Sequence, residues 1–231
     1  MASPRLGRPG VDAGVIDLVI FDCDGVLVDS EPIANRVFAE ALAELGLQVS
    51  LDEMYADFVG RSMSYCMRLV EARLGRPAPA DFVTRLQERT FAAFEAEGLQ
   101  ATEGIHEALD AIALPMCVAS SGEIEKMRFT LGLTGLLPRF DGRLFSVTQV
   151  EHGKPAPDIY LYAAKQMGAQ PSRCVVVEDS PAGARAGLAA GMTVLGYCAH
   201  TPAESLARLG VHCTFAGMRE LPGLLKRAAE R

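Results

Sequence analysis

Val15-Ile16-Asp17-Leu18-Val19-Ile20-Phe21-Asp22-Cys23-Asp24-Gly25-Val26-Leu27-Val28-Asp29 decides the reading of this chain. Its first seven residues form a nearly continuous β-branched and apolar run, as expected of a parallel-sheet strand covered on both faces. Asp22 and Asp24 emerge where that strand should end, and Gly25 lets the backbone turn sharply away. Two carboxylates this close repel each other unless a cation holds them. A hard divalent ion such as Mg²⁺ takes oxygen ligands and leaves positions open for a phosphate. The plain alternative is an acidic turn in which an Asp side chain caps the backbone.

Beyond this strand the sequence has two textures. Residues 31–99 carry helical patterns and no convincing strand. Ile33, Val37, Ala41, Leu42 and Leu45 share one face, with Asp29 and Ser30 as cap candidates, Pro32 in the first turn and Gly46 as the stop. Further helices are expected over about 51–58, 64–74 and 80–97. From about residue 103 strands and helices alternate. Strand-like runs stand at Met116–Ala119, Leu144–Val147, Cys174–Val177, Thr193–Leu195 and Cys213–Phe215, with helices around 123–132, 158–168, 181–190 and 219–229. The fold class is therefore α/β: a Rossmann-like parallel sheet core (15–30 and 100–231) with an inserted helical cap (31–99). Residues 1–14 carry Arg5, Arg8 and several glycines and prolines without an apolar core, and read as a loose tail rather than a leader or a span.

A net charge of −7 argues against nucleic acid as a partner. No stretch suits a membrane, and cysteines that read as reduced thiols make the expected location cytoplasmic; a small phosphorylated metabolite is the expected partner on the strength of the strand-end residues alone. A monomer or a small homo-oligomer is expected. The six cysteines (23, 66, 117, 174, 198, 213) are scattered without Cys-x-x-Cys pairing, which speaks against zinc and a disulfide framework.

In open α/β sheets ligands bind beyond the carboxyl ends of the strands. After the first strand come Asp22 and Asp24. After the second come Ser120, Ser121 and Gly122, opening a helix whose N–H groups suit an anion. A loop after the third holds Lys154, and Glu178 and Asp179 follow the fourth. Each has a simpler reading: a capping serine, a solvated lysine, helix-capping acids. Their joint placement on one edge fits phosphoryl transfer, whose transition state needs positioning and positive charge. Asp22 is the candidate nucleophile and Asp24 the acid and base. Asp22, Asp179 and the Asp24 carbonyl are candidate Mg²⁺ ligands, with Glu178 binding directly or through water. Ser120 and Lys154 are the candidates for gripping phosphoryl oxygens.

Asp22-x-Asp24-Gly25-Val26-Leu27-x-Asp29-Ser30, Ala119-Ser120-Ser121-Gly122, Lys154-Pro155-x-Pro157-Asp158 and Glu178-Asp179-Ser180-x-x-Gly183 resemble, in order, the four motifs of the haloacid dehalogenase superfamily of Mg²⁺-dependent phosphohydrolases. The resemblance covers about residues 15–228. It implies the subgroup with a helical cap after the first motif, which contains β-phosphoglucomutases and sugar-phosphate phosphatases. Leu114-Pro115-Met116-Cys117-Val118 with Asp22-Cys23-Asp24 also resembles the 6-phosphogluconate phosphatase branch.

Several rivals fit less well. β-Phosphoglucomutases resemble this chain through Glu31 but then carry a histidine, where Pro32-Ile33-Ala34-Asn35 stands here. A phosphonatase of this fold would use a cap lysine, and residues 31–99 contain none. A receiver-like phospho-acceptor signalling protein shares the acids, hydroxyl and lysine but has no helical insertion. In the cap, Gly60-Arg61-Ser62-Met63 is the candidate specificity loop, Arg61 being either the contact for a second anionic group on the substrate or a surface arginine. Phe58, Tyr65 and Met67 are either pocket-lining or core.

Overall fold

The structure, a computed structural model, describes residues 15–50, 53–54, 57–58 and 63–229. Strand β1 (Leu18–Phe21) is fully buried and occupies the middle of a six-stranded parallel sheet. It pairs with β2 (Met116–Ser120) on one side and β4 (Cys174–Glu178) on the other, Val19 standing opposite Met116 and Val175. With β3 (Leu144–Ser146), β5 (Thr193–Tyr197) and β6 (Cys213–Phe215), the spatial order is β3-β2-β1-β4-β5-β6. The chain thus builds outward on one side of β1, then crosses back to build outward on the other. That reversal leaves a crevice at the ends of β1 and β4, where α/β sheets receive ligands.

Alternate strand residues feed opposite faces. Phe21, Val118, Val177 and Leu195 pack with Leu109, Met127, Leu131 and Phe140 on one side. Ile20, Cys117, Val176 and Val194 meet Ile159, Tyr160, Ala163 and Ala184 on the other. Two buried faces explain why the strands read as continuous apolar runs.

Between β1 and β2 stand helices α1 (Glu31–Glu44), α2 (Met63–Leu74), α3 (Phe82–Glu97) and α4 (Ile105–Ala111). Val37, Phe38, Leu42, Cys66, Val70, Phe82 and Leu86 form a third apolar cluster. Gly46 adopts φ +92°, which suits the expected stop of α1. Phe91 and Phe94 of α3, with Ile33, Ala34 and Leu99, join this layer to the core beneath. The outgoing and returning chains run side by side: Asp29 N–H donates to Gln100 O and Thr102 N–H to Leu27 O, both at 3.0 Å, and Val28 bridges Ala101.

The remaining helices are α5 (Ile124–Leu133), α6 (Leu137–Phe140), α7 (Asp158–Gln166), α8 (Pro181–Ala189), α9 (Ala203–Ala207) and α10 (Leu221–Ala229). The sequence patterns do not single out α4, α6 or α9, which are too short to display a helical period. Strand β3 stops one residue before the expected Val147, because Ser146 caps a 3₁₀ turn there. The helix expected over 51–58 falls partly outside the described residues. Among the described residues no helix is long and apolar enough to cross a membrane. No disulfide joins any of the six cysteines among the described residues.

Candidate active site

The ends of β1, β2 and β4 deliver Asp22, Ser120 and Glu178 to one edge, and the loop after β3 folds Lys154 across it. Lys154 is not a solvated loop lysine: its side chain is 4% exposed. Its Nζ lies 2.9 Å from Asp22 Oδ1 and 2.7 Å from Glu178 Oε1, and donates to Ala119 O at 3.1 Å. The Lys154 ammonium is the one positive group against Asp22 Oδ1 among the described residues, and it is shared with Glu178. The Tyr160 ring lies 5.0 Å from Lys154 Nζ, near enough for a cation–π contact.

Glu178 and Asp179 do not cap the following helix, because Ser180 does so by accepting from Gly183 N–H at 3.0 Å. Glu178 is instead saturated. Oε1 accepts from Lys154 and from Tyr160 OH at 2.8 Å, and Oε2 accepts from Ser180 N–H and Oγ at 3.0 Å each. A side chain at Gly183 would overlap this carboxylate, since an added Cβ falls 1.6 Å from Oε1. Asp179 packs over Gly25, where φ is +74° and an added Cβ would lie 2.1 Å from Asp179 Oδ2. The motif glycines therefore give room to the acids.

Three carboxylates, Asp22, Glu178 and Asp179, bring oxygens within 4.8 Å of one another around a single lysine. Their proton affinities divide accordingly. Burial pushes Asp22 up to about 7, with Glu178 and Asp24 adding to the effect and Lys154 opposing it. Burial, then Glu178 and Asp22, hold Asp179 well above the usual carboxylate range. Glu178 is buried too, but the Lys154 charge and its four donors keep it below that range. Burial would deprotonate Lys154, yet Asp22 and Glu178 outweigh it and hold the ammonium charged.

Asp24 sits slightly apart. Oδ1 accepts from Ser30 Oγ at 2.8 Å and Oδ2 from Lys126 Nζ at 2.7 Å. Burial alone would raise its proton affinity, but Lys126 and Ser30 lower it. Ser30 is therefore at the N-cap of α1 without capping through its side chain, which turns to Asp24. At the end of β2, Ser120 is buried and its Oγ accepts from Gly122 N–H at 3.0 Å, while Ser121 is exposed. Neither serine caps α5, whose N-cap is Glu123. Ser146 Oγ donates to Gly122 O at 2.8 Å and fixes this loop from below.

Sequence reasoning missed Lys126, Tyr160 and Ser146. A helical lysine, a helical tyrosine and a strand-end serine carry no local signal; their roles arise from which strands are neighbours. Gly60 and Arg61 lie outside the described residues. Phe58 belongs to the core of the helical layer, its ring 5.4 Å from that of Phe38. Met67 packs against the same cluster.

Residues 16–191 match the family model of haloacid dehalogenase-like hydrolases. The chain belongs to that family. As a haloacid dehalogenase-like hydrolase it is 35% identical over 214 residues to the 6-phosphogluconate phosphatase of Escherichia coli strain K12, covering 91% of this chain and 95% of that protein. Hexitol phosphatase A of the same organism is 33% identical, over 80% of this chain and 84% of its own. A solved haloacid dehalogenase-family hydrolase from Deinococcus radiodurans, with bound phosphate and sodium, is 36% identical with a TM-score of 0.77, over 93% and 97% of the two chains. This haloacid dehalogenase-like hydrolase is a phosphoric monoester hydrolase.

Proposed function

We propose that the enzyme hydrolyses a small phosphorylated sugar or sugar acid with Mg²⁺, through an aspartyl-phosphate on Asp22. The observation that carries this reading is the buried group of Asp22, Glu178 and Asp179 about Lys154. The substrate class rests on relatives named for 6-phosphogluconate, hexitol phosphates and fructose 1-phosphate.

The residues present fit a hard cation. All the candidate ligand atoms are oxygens, Asp22 shares its one ammonium with Glu178, and burial leaves Asp22 and Asp179 short of positive charge. Asp22, Asp179 and the Asp24 carbonyl would hold the ion. Glu178, with both oxygens occupied by protein donors, suits contact through water and the orientation of Lys154 better than direct binding. Bound Mg²⁺ supplies positive charge against the phosphoryl oxygens.

Ser120, the N–H groups around Gly122 and Lys154 grip those oxygens. An Asp22 carboxylate oxygen attacks phosphorus, and the bond from phosphorus to the ester oxygen breaks. The bonding pair leaves with that oxygen, which takes a proton from Asp24. Water then attacks the acyl phosphate and gives a proton to Asp24 as the pair of the Asp22–phosphorus bond returns to Asp22. Lys126 and Ser30 keep Asp24 ionised, the form in which it can accept the proton of the second step. In the first, the approaching phosphate dianion favours its protonated form. Residues 31–99 serve as the cap that selects the leaving group, with Arg61 as its candidate contact.

Purified protein tested against a panel of phosphorylated sugars and sugar acids, with Mg²⁺ or with excess EDTA, decides the matter. Turnover of a sugar or sugar-acid phosphate that EDTA abolishes is expected. Full activity in EDTA, or no turnover of any phosphomonoester, would refute it.

A further inference from the structure

Lys126 has no part in the mechanism above, yet it is placed at cost. It sits in the first turn of α5, where the helix dipole favours acids and disfavours a cation. Glu123 and Glu125 are close in sequence, but its ammonium crosses the loop to Asp24 Oδ2, 102 residues away. Gly122 clears the path, since a Cβ there would stand 3.3 Å from Lys126 Cδ and 3.8 Å from Asp24 Oδ2. The chain contains four lysines against 18 arginines, and two of those four lie at this edge. A point donor suits the place. Ser30 already occupies Asp24 Oδ1, so the two-pronged guanidinium would find one acceptor where it fits two.

We propose that Lys126 is a positioning residue, which with Ser30 clamps the Asp24 carboxylate by one lone pair on each oxygen and leaves the others free to carry the transferred proton. An ionised carboxylate offers about four acceptor sites, so two donors fix its plane without blocking it. The inference rests on the proton-relay role given to Asp24 above. It assigns Lys154 to Asp22 and Glu178, and Lys126 to Asp24 alone among the site acids.

The test uses the intact Mg²⁺-loaded enzyme, Lys126→Met and Lys126→Arg, with Asp24→Asn as benchmark. On a sugar phosphate, Lys126→Met should lower kcat about 10- to 100-fold, part of the roughly 10²- to 10⁴-fold that general acid–base catalysis contributes, with KM within about twofold. Lys126→Arg should recover part of that loss. p-Nitrophenolate departs without a proton, so rapid mixing of Lys126→Met with p-nitrophenyl phosphate should still show a first equivalent of product at near wild-type rate. A crystal structure of metal-free Lys126→Met should show the Asp24 carboxylate turned from its present plane. A rise in KM alone would make Lys126 a substrate contact, and unchanged kinetics would make it a surface charge; either overturns the proposal. An equal loss of the first equivalent with p-nitrophenyl phosphate would overturn it too. Should Lys126→Met melt below the assay temperature, Lys126→Gln replaces it. A wild type inert to every phosphomonoester would instead refute the functional reading on which the proposal stands.

Discussion

Lys154 lies between Asp22 and Glu178 with 4% of its side chain in water, whereas Arg36 and Arg89 of the helical layer keep 46% and 38%. The arginines pair across α1 and α3 with Glu40, Glu44 and Glu97, all well solvated. Such pairs lose little on folding and gain little. At the strand ends, by contrast, three carboxylates have surrendered water around one lysine. A fold selected for stability alone would not bury that excess of negative charge. The difference separates charge kept for chemistry from charge kept for solvation, and substitutions on the two sides should differ in kind.

The largest effect is expected at Asp22. Asp22→Asn should lower kcat by at least about 10⁴-fold, the scale on which a lost nucleophile is felt, while circular dichroism stays native. The same variant should melt no lower than wild type, since it removes a buried charge; activity near wild type would exclude the covalent route.

Lys154→Met should destabilise the metal-free protein by about 3–5 kcal/mol in urea titrations near pH 8, because breaking a buried pair strands its partners. A loss below about 1 kcal/mol would place Lys154 with the surface arginines instead.

Stability should also depend on pH and metal. Asp22, raised to about 7, binds a proton in the folded state that the unfolded chain has released above about 4. Stability from this group is therefore complete below about pH 4 and lost as pH rises through about 7. The loss is up to about 4 kcal/mol, and Asp179 acts in the same direction. The lowered Asp24 and Glu178 contribute only on the acid side, below the usual carboxylate range. Metal-free melting temperature should thus fall between pH 5 and 8, and Mg²⁺ should raise it more at pH 8 than at pH 5. Equal Mg²⁺ shifts at both would remove the cation from this site.

Arg61→Ala should raise KM for a substrate with a distal carboxylate or hydroxyls, by about 10- to 150-fold in kcat/KM for a lost charge-assisted hydrogen bond. p-Nitrophenyl phosphate should be nearly indifferent, and an equal loss on both would end the specificity role. Smallest of all, Arg89→Ala should cost about 0.2–1 kcal/mol by double-mutant cycle with Glu44, and leave kcat unchanged.

The strand ends were legible because chemistry there is tied to order along the chain. Each apolar run announces where it stops, and the acids and serine stand at the ends of β1, β2 and β4, with the lysine in the loop after β3. The sheet order was not legible, and with it went Lys126 and Tyr160, whose partners are 102 and 18 residues distant. Ser30 stands at the N-cap of α1 as its position suggests, but nothing local shows that its hydroxyl donates to Asp24. In the helical layer Phe58 could be read either as pocket or as core, because an amphipathic period shows that a face is buried and not against what.

The paired crossing of residues 27–29 and 100–102 bears on how such a protein changes over generations. Whatever lies between begins and ends at one pinned point, so the rest of the molecule experiences it as a closed loop. The entropic cost of such a loop grows only with the logarithm of its length. Descendants can therefore trade the entire segment as one heritable cassette without redesigning the sheet, provided the few apolar anchors at Ile33, Ala34, Phe91, Phe94 and Leu99 still fit their seats. Diversity of diet and constancy of chemistry would then evolve on separate clocks within a single polypeptide.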